Sequence, residues 1–338
     1  MSKWQKVIDS PGNFAMSGVY TQDKLHLGGY GNGNIYSWLP LVTELSNSGE
    51  AVLAMCVFKG QVYATSENND MTGQHTRVLK RTTMGWVEAA SLKGYASFFM
   101  TVWGNYLIIT ATTDLQSIDY WYSYDGSKFI KGAHFNDWLW VPAVFKNDLY
   151  LLGHSGPAGG PGYSKAVKWS GNSFVTIPAL CRPDVVEWQC ATEHDGKLFL
   201  GGGGWTLARG TSQAIVYAYD GASCFPVKAE PAYHEVQALL SSKINGYLYA
   251  SFGAGFKHDV GGSQLWASKD GNQWLDAGTF DCPQLYVLMD TPYGFIAAGG
   301  SQGRLTTYFF DTQTPTVPPP PPPPPIYEHT CPKCGFQF

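Results

Sequence analysis

The sequence predicts an all-β fold built from seven repeated units, and three observations carry that prediction. Charged residues are only 14% of the chain while aromatics reach 15% and glycines number 39. Ordinary globular chains carry about a quarter charged residues, and this balance suits strands joined by many tight turns. A short phrase, a polar turn followed by an apolar strand, recurs as "DKLHLGG", "KGQVYAT", "GNYLIIT", "NDLYLLG", "DGKLFLG", "NGYLYAS" and "YGFIAAG". Aligned on Leu25, Val62, Leu107, Leu149, Leu198, Leu248 and Phe295, its spacings are 37, 45, 42, 49, 50 and 47 residues, the period of four-stranded repeat units.

Each unit reads as four strands. An apolar run such as "AVLAMCVF", "ASFFMTVW" or "EVQALLSS" precedes the phrase, and its continuous character predicts an innermost strand buried on both faces. The phrase is the second strand, and a Gly-rich loop follows it. A third strand then leads into a hairpin: "YSYDGSKF", "KWSGNSF", "AYDGASCF", "ASKDGNQW". Asp-Gly between apolar runs predicts a tight turn with φ > 0 at both central residues. The seventh unit, "FIAAGGSQGRLTTYFFD", stops after its third strand. The N-terminal "WQKVIDS" has the form of a fourth strand, so Trp4 to Asp9 is expected to complete the last unit and remove an open edge.

These residues resemble a seven-bladed β-propeller of the broad kelch and Asp-box kind over residues 1–312. Gly28–Gly29 and Gly299–Gly300 are similar to the kelch double glycine, and "SKDGNQW" is similar to the Asp-box turn, one residue short of its usual spacing. Neither signature repeats cleanly, so the resemblance implies an architecture and not an activity.

In such a propeller the second-to-third connections share one face with the links between blades, and long loops on a rigid scaffold favour binding. The loops are "GYGNGN", "SENNDMTGQH", "ATTDLQSID", "GHSGPAGGPGYS", "GGGGWTLARGTSQ" and "FGAGFKHDVGGS". Their candidate ligand-binding residues are Tyr30, Asn34, Asp70, His75, Asp114, His154, Tyr163, Trp205, Arg209, Phe256 and His258, with Trp140 from a neighbouring loop. Aromatic platforms beside amides and carboxylates suit sugars, whose rings have apolar faces and hydroxyl edges. The competing reading is that the aromatics are sheet formers and the loops pack on one another.

The chain ends "PPPPPPPPIYEHTCPKCGFQF". Eight prolines, Pro318 to Pro325, favour a polyproline II rod of roughly 25 Å. The expected organisation is a propeller over 1–312, a rigid linker over 313–325 and a tail over 326–338. In the tail Cys331 and Cys334, with His329, form half of a zinc-ribbon-like set. Structural zinc takes four ligands, and no second Cys-x-x-Cys is present. Three readings stay open: zinc shared between chains of a homo-oligomer or with a partner, a reversible disulfide, or a docking peptide without metal.

The net charge of −4 and only five arginines argue against a nucleic-acid binder, and no apolar stretch is long enough to cross a membrane. "MSKWQKVIDSPGNF" shows no signal-peptide pattern. The module order resembles receptor-binding or decoration proteins of tailed bacteriophages. That resemblance implies a non-enzymatic head made in the cytoplasm, docked on a virion or appendage by its tail, and contacting host-surface glycan. The alternatives are an intracellular scaffold for protein partners, or a carbohydrate-active hydrolase or lyase using Glu187 and Glu235, which fall in equivalent regions of neighbouring units.

Overall fold

The computed structural model describes residues 4–11, 14–21, 24–31, 33–38, 41–46, 51–67, 75–94, 97–112, 118–132, 134–156, 162–206, 210–211, 213–254, 261–301 and 303–311. Among these, one 3₁₀ turn, Pro178–Leu180, is the only helix. Apart from the short ribbon Trp205–Thr206 with Gly210–Thr211, the described strands fall into antiparallel groups of four. Sheet 1 comprises Ala15–Thr21, Lys24–Gly29, Ile35–Trp38 and Val42–Leu45. Sheet 2 comprises Val52–Phe58, Gln61–Ser66, His75–Thr82 and Gly85–Lys93. Sheets 3 and 4 span Met100–Lys131 and Trp138–Thr176 in the same manner. Sheet 5 is Glu187–His194, Lys197–Gly203, Ala214–Tyr219 and Cys224–Glu230, and sheet 6 is Glu235–Ser241, Leu248–Gly253, Ser263–Ser268 and Trp274–Phe280. A single bridge, Gly203 to Glu235, joins sheets 5 and 6. Sheet 7 takes Gln284–Thr291, Gly294–Ser301 and Arg304–Asp311, and its fourth strand is the N-terminal Trp4–Pro11.

All seven anchors of the repeated phrase lie in second strands. The first strands pack against one another in a cycle, sheet 1 on 2 and onward to sheet 7 on 1. The core is divided accordingly. Val141, Phe145 and Leu152 of sheet 4 pack on Trp188, Leu198 and Leu200 of sheet 5. Ile296 and Leu305 of sheet 7 pack on Leu25 and Leu27 of sheet 1. Every other pair of neighbours encloses its own apolar cluster. This is the architecture of a β-propeller.

Side chains of first and second strands lace several sheets to the backbone of the next sheet. Ser17 Oγ donates to Val52 O at 3.2 Å, Thr65 Oγ1 to Ser97 O at 2.8 Å and Thr110 Oγ1 to Trp140 O at 2.7 Å. Trp140 Nε1 donates to Trp188 O at 2.9 Å, and Ser251 Oγ to Leu285 O at 2.8 Å. On the opposite face, Lys59 Nζ reaches Asp125 O at 2.5 Å, Lys146 Nζ reaches Asp220 O at 2.9 Å, and His194 Nε2 reaches Lys269 O at 3.1 Å.

The N-terminal strand closes sheet 7 from Trp4 opposite Phe310 to Pro11 opposite Arg304. Trp4 sits edge-on to Phe280 and Phe295 at 5.1 and 5.4 Å and donates Nε1 to Ala277 O at 2.7 Å. Lys6 pairs with Asp281 at 2.5 Å and Arg304 with Asp9 at 2.6 Å.

The turns differ from the sequence expectation. In the three Asp-Gly hairpins the glycines Gly126, Gly221 and Gly271 have positive φ, and the aspartates before them do not. Those loops are longer than two residues, with Tyr124 opposite Phe129 and Tyr219 opposite Cys224. The aspartate acts through its side chain instead. Asp125 Oδ1 accepts from Ser127 and Lys128 N–H at 2.7 and 3.0 Å, and Asp220 and Asp270 repeat the arrangement. These bonds hold the Asp125 and Asp270 carboxyls down to about 2. Two-residue turns with positive φ at both positions occur between first and second strands, at Lys59–Gly60, Lys146–Asn147 and Asp195–Gly196.

Candidate functional site: the axial mouth

The first strands begin on the face that carries the long loops, and nearly all share a local irregularity there. The register slips at Ala15/Ser17, Val52/Ala54, Trp138/Val141, Trp188/Cys190, Val236/Ala238 and Gln284/Val287. Such a bulge re-aims the residues that flank it. In three successive sheets the strand opens polar–apolar–polar: Glu187-Trp188-Gln189, Glu235-Val236-Gln237 and Gln284-Leu285-Tyr286. The middle residue is fully buried each time.

The flanking polar residues interact. Gln189 Nε2 donates to Glu187 Oε1 at 2.7 Å. Tyr286 Oη donates to Glu235 Oε1 at 2.5 Å. Gln237 Oε1 accepts from Leu285 N–H at 2.6 Å and its amide reaches Pro283 O at 3.3 Å, which ties sheet 6 to sheet 7. Glu235 is 5% exposed, whereas Glu187 keeps partial exposure. Burial, reinforced by the charge of Glu235, pushes the Glu187 carboxyl up to about 8. Burial also raises Glu235, against hydrogen bonds from Tyr286 and Gln237 that lower it. One buried and one partly buried carboxyl in one field cannot both ionise cheaply, so the pair holds a proton at neutral pH.

The other side of the mouth is aromatic. Tyr30 stacks on Phe14 at 5.0 Å, and Phe14 lies 6.0 Å from Tyr286. Met16, Tyr30 and Phe98 pack on buried Ala51 and Leu53. Phe98 meets Trp140 edge-on at 5.2 Å, and Trp138 meets Trp140 at 5.5 Å. Tyr30 is raised by burial and by Glu67, so it stays a neutral phenol.

Of the sequence-predicted residues, the mouth brings together Tyr30 and Trp140, with Glu187 and Glu235. Asn34 closes its own loop, donating Nδ2 to Tyr36 Oη at 3.1 Å and accepting from Gly29 N–H at 2.9 Å. His75 opens the third strand of sheet 2, exposed and opposite Lys93 on the outer strand, away from the axis. His154 is 1% exposed beneath Gly162, where an added Cβ would stand 2.7 Å from its ring, so it is a packed core histidine. Tyr163 is 43% exposed on that same connection. Trp205 pairs its backbone with Thr211, and its side chain lies outside the described residues. So do Asp70, Asp114, Arg209, Phe256 and His258, and the tail set His329, Cys331 and Cys334. Among the described residues no three His, Cys, Asp or Glu side chains converge as a metal requires.

Sequence reading missed Gln189, Gln237, Gln284, Tyr286, Phe14 and Phe98. The polar–apolar–polar openings repeated in sheets 5 to 7 were the available signal. One further motif is a chance match. Gly299-Gly300-Ser301-Gln302-Gly303 has the letters of a hydrolase nucleophile elbow, but it joins two antiparallel strands, Gly294–Ser301 and Arg304–Asp311. The elbow needs a strand-to-helix turn.

No protein-family model and no curated protein matches the chain. Solved structures do. The extracellular domain of BT4673 from B. thetaiotaomicron is similar at TM-score 0.64 and 11% identity, over 90% of this chain and 40% of that one. YCF48 bound to D1 peptide is similar at TM-score 0.57 and 12% identity, over 91% and 97%. An ancestral GH74 enzyme is similar at 0.61 and 12%, over 91% and 49%. The fold is a β-propeller. This chain spans less than half of the BT4673 and GH74 chains, and at these identities the likeness is one of fold alone.

Proposed function

We propose that this chain is a seven-bladed binding propeller whose axial mouth takes an uncharged carbohydrate, and that it acts without catalysis. The observation that supports this reading is the division of the mouth into an aromatic arc (Tyr30, Phe98, Trp140) and an arc of carboxyl, amide and phenol groups (Glu187, Gln189, Glu235, Tyr286). Rings offer platforms for the apolar faces of a sugar, and the polar arc offers donors and acceptors for its hydroxyls. The proton on the Glu187–Glu235 pair lowers the charge of the mouth and lets one carboxyl donate.

The proposal extends to display. The last strand ends at Asp311 opposite Gly294, on the edge of the first-to-second turn and away from the mouth. That end of the strand is taken as the attachment end of the propeller. We assign residues 326–338 as the anchor to a virion or appendage, with Cys331, Cys334 and His329 sharing zinc with another chain. Native mass spectrometry with zinc analysis, on the full chain and on residues 1–311, tests this. Zinc-holding oligomers lost on truncation support the clasp, and metal-free monomers in both remove it.

A second reading, glycoside cleavage, is favoured by the proton that Glu187 keeps at neutral pH, as a general acid must. The two readings part in one experiment. Soluble polysaccharides incubated with wild type and with Glu187→Gln are assayed for binding and for released reducing ends. Binding without turnover supports the first, and turnover lost in Glu187→Gln supports the second.

A further inference from the structure

On the face opposite the mouth, the seam between sheets 6 and 7 ends differently from its neighbours, because sheet 7 has no third-to-fourth hairpin. Its third strand ends at Asp311 and its fourth is the N-terminal Trp4–Pro11. In three other seams the first-to-second turn of one sheet reaches the hairpin of the next: Lys59 to Asp125 O, Lys146 to Asp220 O and His194 to Lys269 O. The corresponding turn of sheet 6, Ser242 to Tyr247, folds onto the first strand of sheet 7 instead. There Asp290 accepts from Ser242 Oγ at 2.7 Å and from Lys243 N–H at 2.6 Å.

An apolar patch stands at that end. The core cluster of the seam closes on half-buried Trp4, Tyr247 and Phe310, and the rings of Trp4 and Phe310 are 5.3 Å apart. The flanking turns and outer strand add Tyr293 at 50% exposure, Ile244 at 42% and Leu275 at 63%. Leu275 is opposite Ala267, a member of the same cluster, so it stands on this face of sheet 6. Lone exposed apolar residues are ordinary, whereas a contiguous group marks an interaction surface. The turns presenting it are braced. Thr291 Oγ1 donates to Gly294 O at 3.1 Å and accepts from Tyr293 N–H at 3.3 Å, and Asn245 Oδ1 accepts from Tyr247 N–H at 3.1 Å.

The occupant of the patch follows from where the chain leaves the sheet. Asp311 is opposite Gly294, the neighbour of Tyr293, and it directly follows Phe310. Residues 312–325, "TQTPTVPPPPPPPP", come next and carry no charge. Proline rings are rigid and apolar, and a polyproline II segment loses little freedom when it docks on aromatic rings. Covalent attachment beside the patch also raises the effective concentration of the segment there. It leaves sheet 7 where the other sheets carry their hairpins. We infer that residues 312–325 lie across this patch, against Tyr293, Ile244 and Phe310, so that the rod is held at a fixed angle to the propeller and covers the ring closure at Trp4. This docking is independent of what residues 326–338 bind.

Hydroxyl-radical footprinting of the full chain tests the inference, because it reads the exposure of individual side chains. Wild type is compared with a full-length variant in which Pro318 to Pro325 are replaced by Gly-Ser repeats of equal length. The expected result is several-fold slower oxidation of Tyr293 and Ile244 in wild type. Met84, 96% exposed on the hairpin of sheet 2, should be oxidised equally in both. Tyr293→Ala, at an exposed position, is expected to free the rod and raise the radius of gyration in small-angle scattering. Equal oxidation of Tyr293 and Ile244 in the two chains overturns the inference. So does protection that survives the replacement, which assigns the patch to another segment, or protection that grows with protein concentration, which assigns it to a second copy.

Discussion

At the scale of single residues the chemistry concentrates on Glu187. Its carboxyl is raised by burial and by Glu235, so its effect on stability has a definite sign. A group whose pKa is higher folded than unfolded supports the fold fully below its unfolded value and loses that support as pH rises through the folded value. Wild type should therefore lose stability between about pH 4.5 and 8, over the span between those two values. Glu187→Gln keeps the shape and the contact with Gln189 but cannot ionise. Its urea midpoint should stay nearly flat over that window and exceed that of wild type by a margin that grows as pH rises. A variant whose midpoint runs parallel to wild type would mean the carboxyl does not titrate there. The hairpin aspartates teach a related lesson. Asp125, Asp220 and Asp270 were legible as turn residues, but their role is to accept N–H groups through the side chain. A dipeptide signal names the residue without saying which of its atoms the turn uses.

At the scale of elements, the second strands were the most legible part of the chain. Their repeated phrase pairs a polar turn with an apolar run, and both halves are local. The first strands were read as uniformly apolar from "EVQALLSS", and their polar openings were passed over. Glu187, Gln189, Glu235 and Gln237 become a site only because a bulge re-aims them and neighbouring sheets bring them together. That juxtaposition is nonlocal and leaves no mark in one strand. Glycine in these strands reports close approach. A Cβ on Gly201 would stand 2.5 Å from Sγ of Cys190, its partner within sheet 5, and 2.7 Å from Val236 Cγ1 across the seam to sheet 6. One on Gly28 would stand 2.7 Å from Val52 O, across the seam of sheets 1 and 2. Gly201→Ala should cost about 1–3 kcal/mol in equilibrium unfolding as the seam is overpacked, with Gly28→Ala at the upper end because backbone yields less than a side chain. Unchanged midpoints would show that the sheets can separate freely.

At the scale of the whole molecule, the ring depends on its two ends meeting. The pairing of Trp4–Pro11 with Arg304–Asp311 was anticipated from the similarity of "WQKVIDS" to other fourth strands, because closure removes an edge. Trp4 concentrates that closure, lying within 5.4 Å of Phe280, Phe295 and Phe310. Trp4→Ala should destabilise by about 3 kcal/mol. Removing residues 1–11 should expose the Arg304–Asp311 strand and drive association, read by light scattering. A monomeric, stable truncation would mean that closure is dispensable. The mouth lies on one face and the strand end at Asp311 on the other, the geometry from which binding at one end and attachment at the other are proposed.

The central claim is that the axial mouth is the ligand site, and the most direct test is a screen of neutral oligosaccharides against wild type and Tyr286→Phe in parallel. Tyr286→Phe keeps the ring and removes only the hydroxyl that donates to Glu235. The account predicts that wild type binds at least one neutral glycan and that Tyr286→Phe, equally folded by circular dichroism, binds it roughly tenfold more weakly. A glycan bound equally by both proteins, or none bound by wild type, would contradict it.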